Sequence, residues 1–146
     1  MMPIPETCDG FADWLARQAL WPAVIVAAVL AAAPLAALAG AVAPNSWPAA
    51  AVAIVATVSG LAVLALSALI RFDAALFHLM ASYDEETAGG AAVDDALARM
   101  RLKPKPDRVR SLSERMGGAR RLVFRQRLAL AVFAIAVAAA PLAFQP

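Results

Sequence analysis

From Leu20 to Ile70 the chain carries no ionisable side chain. Few folds accept such a stretch. A soluble domain interleaves apolar and charged positions, whereas a bilayer takes runs of about 20 apolar residues and excludes charge from them. Breakers divide the stretch at Pro44, Asn45, Ser46 and Pro48. The runs on either side, 20–43 and 49–70, are each long enough as helices to cross about 30 Å of hydrocarbon. A connection as short as 44–48 forces them antiparallel. A third run, Leu128 to Phe144, sits near the lower limit for a span. It reaches 122–144 if Leu122, Val123 and Phe124 join it and Arg125 and Arg127 snorkel to the headgroups.

Composition agrees with a membrane class. The chain is 62% hydrophobic and 16% charged, where soluble domains lie nearer half and a quarter. What remains outside the runs is too short to bury a large core alone. The predicted fold is all-α, an integral membrane protein of three transmembrane helices (an antiparallel hairpin plus a third span) with a helical cytoplasmic loop. The predicted order is an N-terminal segment 1–19, spans 20–43 and 49–70 around the turn 44–48, a charged loop 71–121, a span 122–144 and a tail 145–146.

Local signals refine this outline. Trp14, Trp21 and Trp47 suit the headgroup zone, where an amphipathic ring keeps one edge wet. Phe11, Trp14 and Leu15 are expected to form a short interfacial turn, with Asp9 or Asp13 capping the first helix. Pro22 falls in the first turn of the first span, and Pro34 is expected to kink it. Ala41-Val42-Ala43 resembles a signal-peptide cleavage site, but the leader is acidic, the apolar core is long and Pro44 follows, so the run is read as a span. Ala49, Ala53, Ala56 and Gly60 recur at three- to four-residue spacing and form a small-residue face for helix packing.

Charge is concentrated between Arg71 and Arg127. Six acids and no Lys or Arg lie from Asp73 to Asp95, and eleven bases with two acids lie from Arg99 to Arg127. Phe72, Leu76, Leu79, Met80 and Tyr83 follow helical period, which predicts that the second span continues as an amphipathic helix to about Glu86. Gly89-Gly90 is expected to break it. Asp94 and Asp95 ahead of Arg99 and Arg101 complement a helix dipole. Lys103-Pro104-Lys105-Pro106 predicts a stiff extended strap. Ser111 to Glu114 reads as a capping box opening a short helix to Met116, with Gly117-Gly118 breaking again. The acidic half is also able to fold onto the basic half as a hairpin across Gly89-Gly90.

Twelve of the thirteen Lys and Arg residues lie in this stretch, and Arg17 is the exception. Positive charge stays on the cytoplasmic side of a membrane. The N-terminus and charged loop are therefore expected in the cytoplasm and the C-terminus outside, in a multi-pass protein of a bacterial (prokaryotic) inner membrane.

The chemistry this sequence offers is limited. A single cysteine, Cys8, excludes an internal disulfide, and a single histidine, His78, leaves no histidine-rich metal site. Asp84-Glu85-Glu86 and Asp94-Asp95 lack the convergent oxygens of a cation loop and read as solvated acids. No phosphate loop and no Ser-His-acid set are present, so no catalytic, metal or cofactor residue is assigned. The basic series Arg99, Arg101, Lys103, Lys105, Arg108 and Arg110 enforces topology and attracts anionic lipid, at about 1 kcal/mol per residue near the surface. It lacks the interleaved aromatics of a nucleic-acid site. These bases, with Phe72, Leu76, Met80 and Tyr83, are the expected partner or lipid contacts. The expected role is non-enzymatic: an accessory, assembly or regulatory subunit contacting membrane lipids and a membrane-protein partner or further copies of itself. The alternatives are an oligomeric transporter or pore, which would need a polar lining beyond Thr57, Ser59 and Ser67, and a membrane-surface enzyme using the loop acids.

Overall fold

The computed structural model describes residues 7–38, 47–101 and 111–143. Those residues form four helices and no strand: α1 (Cys8–Leu38), α2 (Trp47–Ala81), α3 (Glu86–Arg99) and α4 (Leu112–Ala143). Helices α1, α2 and α4 are long and apolar enough to cross a membrane. Of the expected turn 44–48, residues 44–46 lie outside the described residues and Trp47 and Pro48 belong to α2; the strap Lys103 to Pro106, Arg108, Arg110 and the tail 145–146 also lie outside them.

Each helix end has a local cause. At the start of α1 the Thr7 hydroxyl accepts the Gly10 N–H at 3.3 Å, so Thr7 does the capping expected of Asp9 or Asp13. The helix then runs on without the expected separate turn, and it continues through Pro22 and Pro34. Trp47 and Pro48 open α2, where the missing proline N–H would have been unpaired anyway. At its end the Ser82 N–H reaches both His78 and Leu79 carbonyls, at 3.2 and 3.3 Å. The last turn thereby tightens and α2 stops at Ala81, short of Glu86. Helix α3 closes on Arg101, whose φ of 55° is the left-handed conformation that ends many helices. The capping box at α4 is present: the Ser111 N–H donates to Glu114 Oε2 at 3.2 Å, and the Glu114 N–H donates to Ser111 Oγ at 3.3 Å.

Two expected breaks are absent. Helix α3 runs straight through Gly89-Gly90, and α4 runs straight through Gly117-Gly118. A glycine costs a helix about 1 kcal/mol against alanine, too little to stop one that tertiary contacts or sheer length support. At Gly89 the support is visible. A Cβ there would stand 2.6 Å from the Met80 carbonyl oxygen, so glycine is what lets α3 pack against the end of α2.

The chain divides into two compact units, Met1–Gln18 with Leu69–Val123, and Ala19–Ala68 with Phe124–Pro146. The first has an aromatic core. Phe11 and Leu15 are fully buried, Phe11 stacks on Trp14 at 5.5 Å, and the Phe77 ring meets Phe11 edge-on at 5.0 Å. Trp14, expected at the headgroups, is turned into this core, whereas Trp21 and Trp47 are exposed. The second unit is built from apolar helix. Val26, Val63 and Phe133 form its core, flanked by Leu30, Leu64, Ala129 and Leu130. Gly60 admits them: a Cβ there would lie 3.1 Å from both Leu30 Cδ1 and Phe133 Cε2. The hydroxyls of Thr57, Ser59 and Ser67 donate to carbonyls one turn back, which satisfies them within the helix.

Candidate functional site

In the first unit α3 lies against α4 through two polar links. The Leu112 N–H, one of the unpaired donors at the start of α4, donates to Glu86 Oε1 at 2.7 Å. One turn further, the Arg115 guanidinium donates to Asp94 Oδ2 at 2.9 Å and to the Gly90 carbonyl at 3.3 Å. Arg115 and Asp94 side chains are 12% and 8% exposed, so the pair is nearly desolvated. A buried pair of this kind adds little net stability, but losing one partner strands the other charge. It fixes the register of α3 on α4. Acidic and basic halves do meet, then, but through separate helices and without a hinge at Gly89-Gly90.

Beside this link is a cavity of about 280 Å3. Leu76, Phe77, Met80, Val93 and Leu97 supply apolar wall, and Asp73, Glu114 and Arg115 supply the polar groups. Arg115 is engaged by Asp94 and Gly90, and Glu114 by its cap. Asp73 is half-buried and has no hydrogen bond or ion pair among the described residues. Gly118 also lines the cavity, and no atom lies within 4 Å of where its Cβ would stand.

His78 links α1 to α2 on the same unit. Its Nδ1 donates to Asp9 Oδ1 at 3.1 Å, since a carboxylate only accepts, and its Nε2 lies 3.6 Å from Asp13 Oδ1. All three side chains are about half exposed or more, so each contact is worth at most about 1 kcal/mol. In the second unit the buried Gln126 donates through Nε2 to Ser67 Oγ at 2.7 Å, which passes the bond on to the Val63 carbonyl. Among the described residues no group of three or more His, Cys, Asp or Glu side chains is arranged to hold a metal ion.

The residues singled out from sequence fall in different places. Met80 is buried inside the first unit, Leu76 lines its cavity, Phe72 is half-buried, and Tyr83 is 45% exposed. Arg99 and Arg101 are exposed at the end of α3, while Lys103, Lys105, Arg108 and Arg110 are outside the described residues. Ala49 and Gly60 are buried, Ala56 is half-buried and Ala53 is exposed. Sequence reasoning missed the Asp94–Arg115 pair, the His78 contacts and the Gln126–Ser67 bond. The signal for Gln126 was there, as a polar residue four positions from Leu122 and Leu130 on an otherwise apolar helix face. Comparison with known proteins gives no match: no family model fits the chain, and no curated protein or solved structure is similar to it.

Proposed function

We propose that this chain is a non-enzymatic membrane subunit that works in assembly with a membrane-protein partner or with copies of itself. The observation behind the reading is how little its candidate spans bury. Only 17%, 22% and 22% of their most apolar windows are buried within the chain. Ile54, Val58, Leu61 and Ile135 are each more than half exposed, and the second unit's cluster of large buried apolar side chains is small: Val26, Val63 and Phe133. Lipid can cover such surface, but in a bilayer helices associate by close packing, and exposed small residues such as Ala53 leave room for another helix.

Helix length fits this role. At 35 residues α2 extends about 52 Å, well beyond the hydrocarbon thickness, so its charged end projects past the membrane surface. Basic residues Arg17, Arg71, Arg125 and Arg127 stand where the three long helices change from apolar to charged. The cytoplasmic side is the side that retains them, and this supports a topology with the N-terminus and the charged stretch in the cytoplasm and the C-terminus outside. The setting that fits is a bacterial inner membrane. In that topology the basic series that begins at Arg99 and Arg101 has anionic headgroups or an acidic partner as its proposed contact.

Crosslinking in native membranes followed by affinity purification in mild detergent tests the reading. A stoichiometric partner, or a defined homo-oligomer, is expected. Recovery of the chain alone with lipid overturns it. A C-terminal reporter active only in the cytoplasm overturns the orientation.

A further inference from the structure

We propose that the cavity between the end of α2, α3 and α4 binds a small lipophilic cation, an organic ammonium with an aryl or alkyl body, with Asp73 as its counter-ion. This goes beyond the subunit reading and does not depend on it.

The argument begins with charge. The charged groups lining the cavity are the carboxylates of Asp73 and Glu114 and the Arg115 guanidinium, whose charge Asp94 already balances. Asp94 already takes Arg115, and Glu114 holds the Ser111 N–H. Asp73 is left half-buried beside apolar wall, with no hydrogen bond or ion pair among the described residues. A carboxylate in that position loses hydration and gains no compensating contact, which is a standing cost to the fold. A cation entering the cavity removes that cost.

Shape selects the rest of the ligand. A volume of about 280 Å3 is just under the roughly 300–1,000 Å3 of drug-sized sites, so it suits a small molecule rather than a peptide segment. Leu76, Phe77, Met80, Val93 and Leu97 offer contact to an apolar body but no further hydrogen-bonding groups. An inorganic cation is disfavoured, because hard cations want several convergent oxygens and this wall is hydrocarbon. An organic anion would meet an excess of carboxylate. An ammonium carrying a ring or short chain matches both the wall and the charge.

The test uses the full chain in nanodiscs of zwitterionic lipid, titrated with benzyltrimethylammonium and, separately, benzenesulfonate, followed by ligand-detected NMR. Saturable binding of the cation and none of the anion is expected. Asp73→Asn is expected to weaken the cation about tenfold, the scale of one charge-assisted contact, while Asp73→Glu retains part of it. Asp73→Asn removes an unpaired, half-buried charge, so its unfolding midpoint is expected to hold or rise. A residue with a merely structural role would lower it. Leu97→Trp fills the cavity without touching its charge and is expected to abolish binding. Equal binding of cation and anion overturns the proposal. So does unchanged cation binding in either Asp73→Asn or Leu97→Trp.

Discussion

Gly89 and Gly117, both helical positions in the first unit, behave in opposite ways, and the difference lies in what surrounds each one. Gly89 faces the Met80 backbone so closely that a methyl group would lie 2.6 Å from its carbonyl oxygen and 2.9 Å from Met80 Cγ. The oxygen belongs to the main chain and has little room to move. Gly89→Ala is therefore expected to push α3 away and to destabilise the first unit by about 1–3 kcal/mol, the cost of overpacking. Gly117 has no atom within 4 Å of its Cβ position and lies inside α4. Gly117→Ala is expected to stabilise by about 0.5–1 kcal/mol through helix propensity alone. Thermal unfolding followed by circular dichroism reads both, and equal effects of the two substitutions would contradict the packing described here. In the sequence the two pairs look alike. Propensity marks both as breaks, and only the neighbour across space tells them apart.

At the scale of the element, helix α3 is short, and its mean composition is barely apolar. A 14-residue helix is marginal in water by itself, so α3 depends on what holds it. Val93 is its buried apolar anchor, and Asp94–Arg115 and Glu86–Leu112 are its polar ones. Asp94→Ala strands a nearly buried guanidinium and is expected to cost about 3–5 kcal/mol, whereas Asp94→Leu with Arg115→Leu is expected to recover most of that. Amide hydrogen exchange across α3 is the direct measurement: fast exchange in the single variant and protection in the double. Hydropathy located the long helices because apolar runs need no knowledge of their neighbours. Contacts between residues far apart in the chain were not legible in that way. Asp94 and Arg115 are 21 residues apart, and His78 and Asp9 are 69 apart, separations at which periodicity carries no information. The capping box was legible because its whole geometry fits within four residues, Ser111 to Glu114.

On the scale of the whole molecule, two kinds of cohesion operate. The first unit is held by an aromatic core, a nearly buried ion pair and a helix-to-helix cap. The second is held by close packing around Gly60 and a buried side-chain bond between Gln126 and Ser67. The all-helical class and the three long apolar helices were readable in the sequence, whereas the joining of the N-terminal segment to 69–123 in one unit was not. The inward turn of Trp14 and Met80 was not, because an aromatic or thioether at a boundary position suits a headgroup layer and a small core equally well.

The two links between α3 and α4 have a consequence for chain continuity. Glu86 and Asp94 grip Leu112 and Arg115 directly, so part of what holds α3 to α4 acts across space rather than along the chain. The protein should thus tolerate being made in two pieces. Co-expressed fragments 1–105 and 106–146 are expected to reassemble and co-purify from membranes through an affinity tag on either one, and Asp94→Ala in the first fragment is expected to reduce that recovery. Failure of the fragments to associate would show that the peptide connection itself, rather than the grip of α3 on α4, keeps the halves of the chain together.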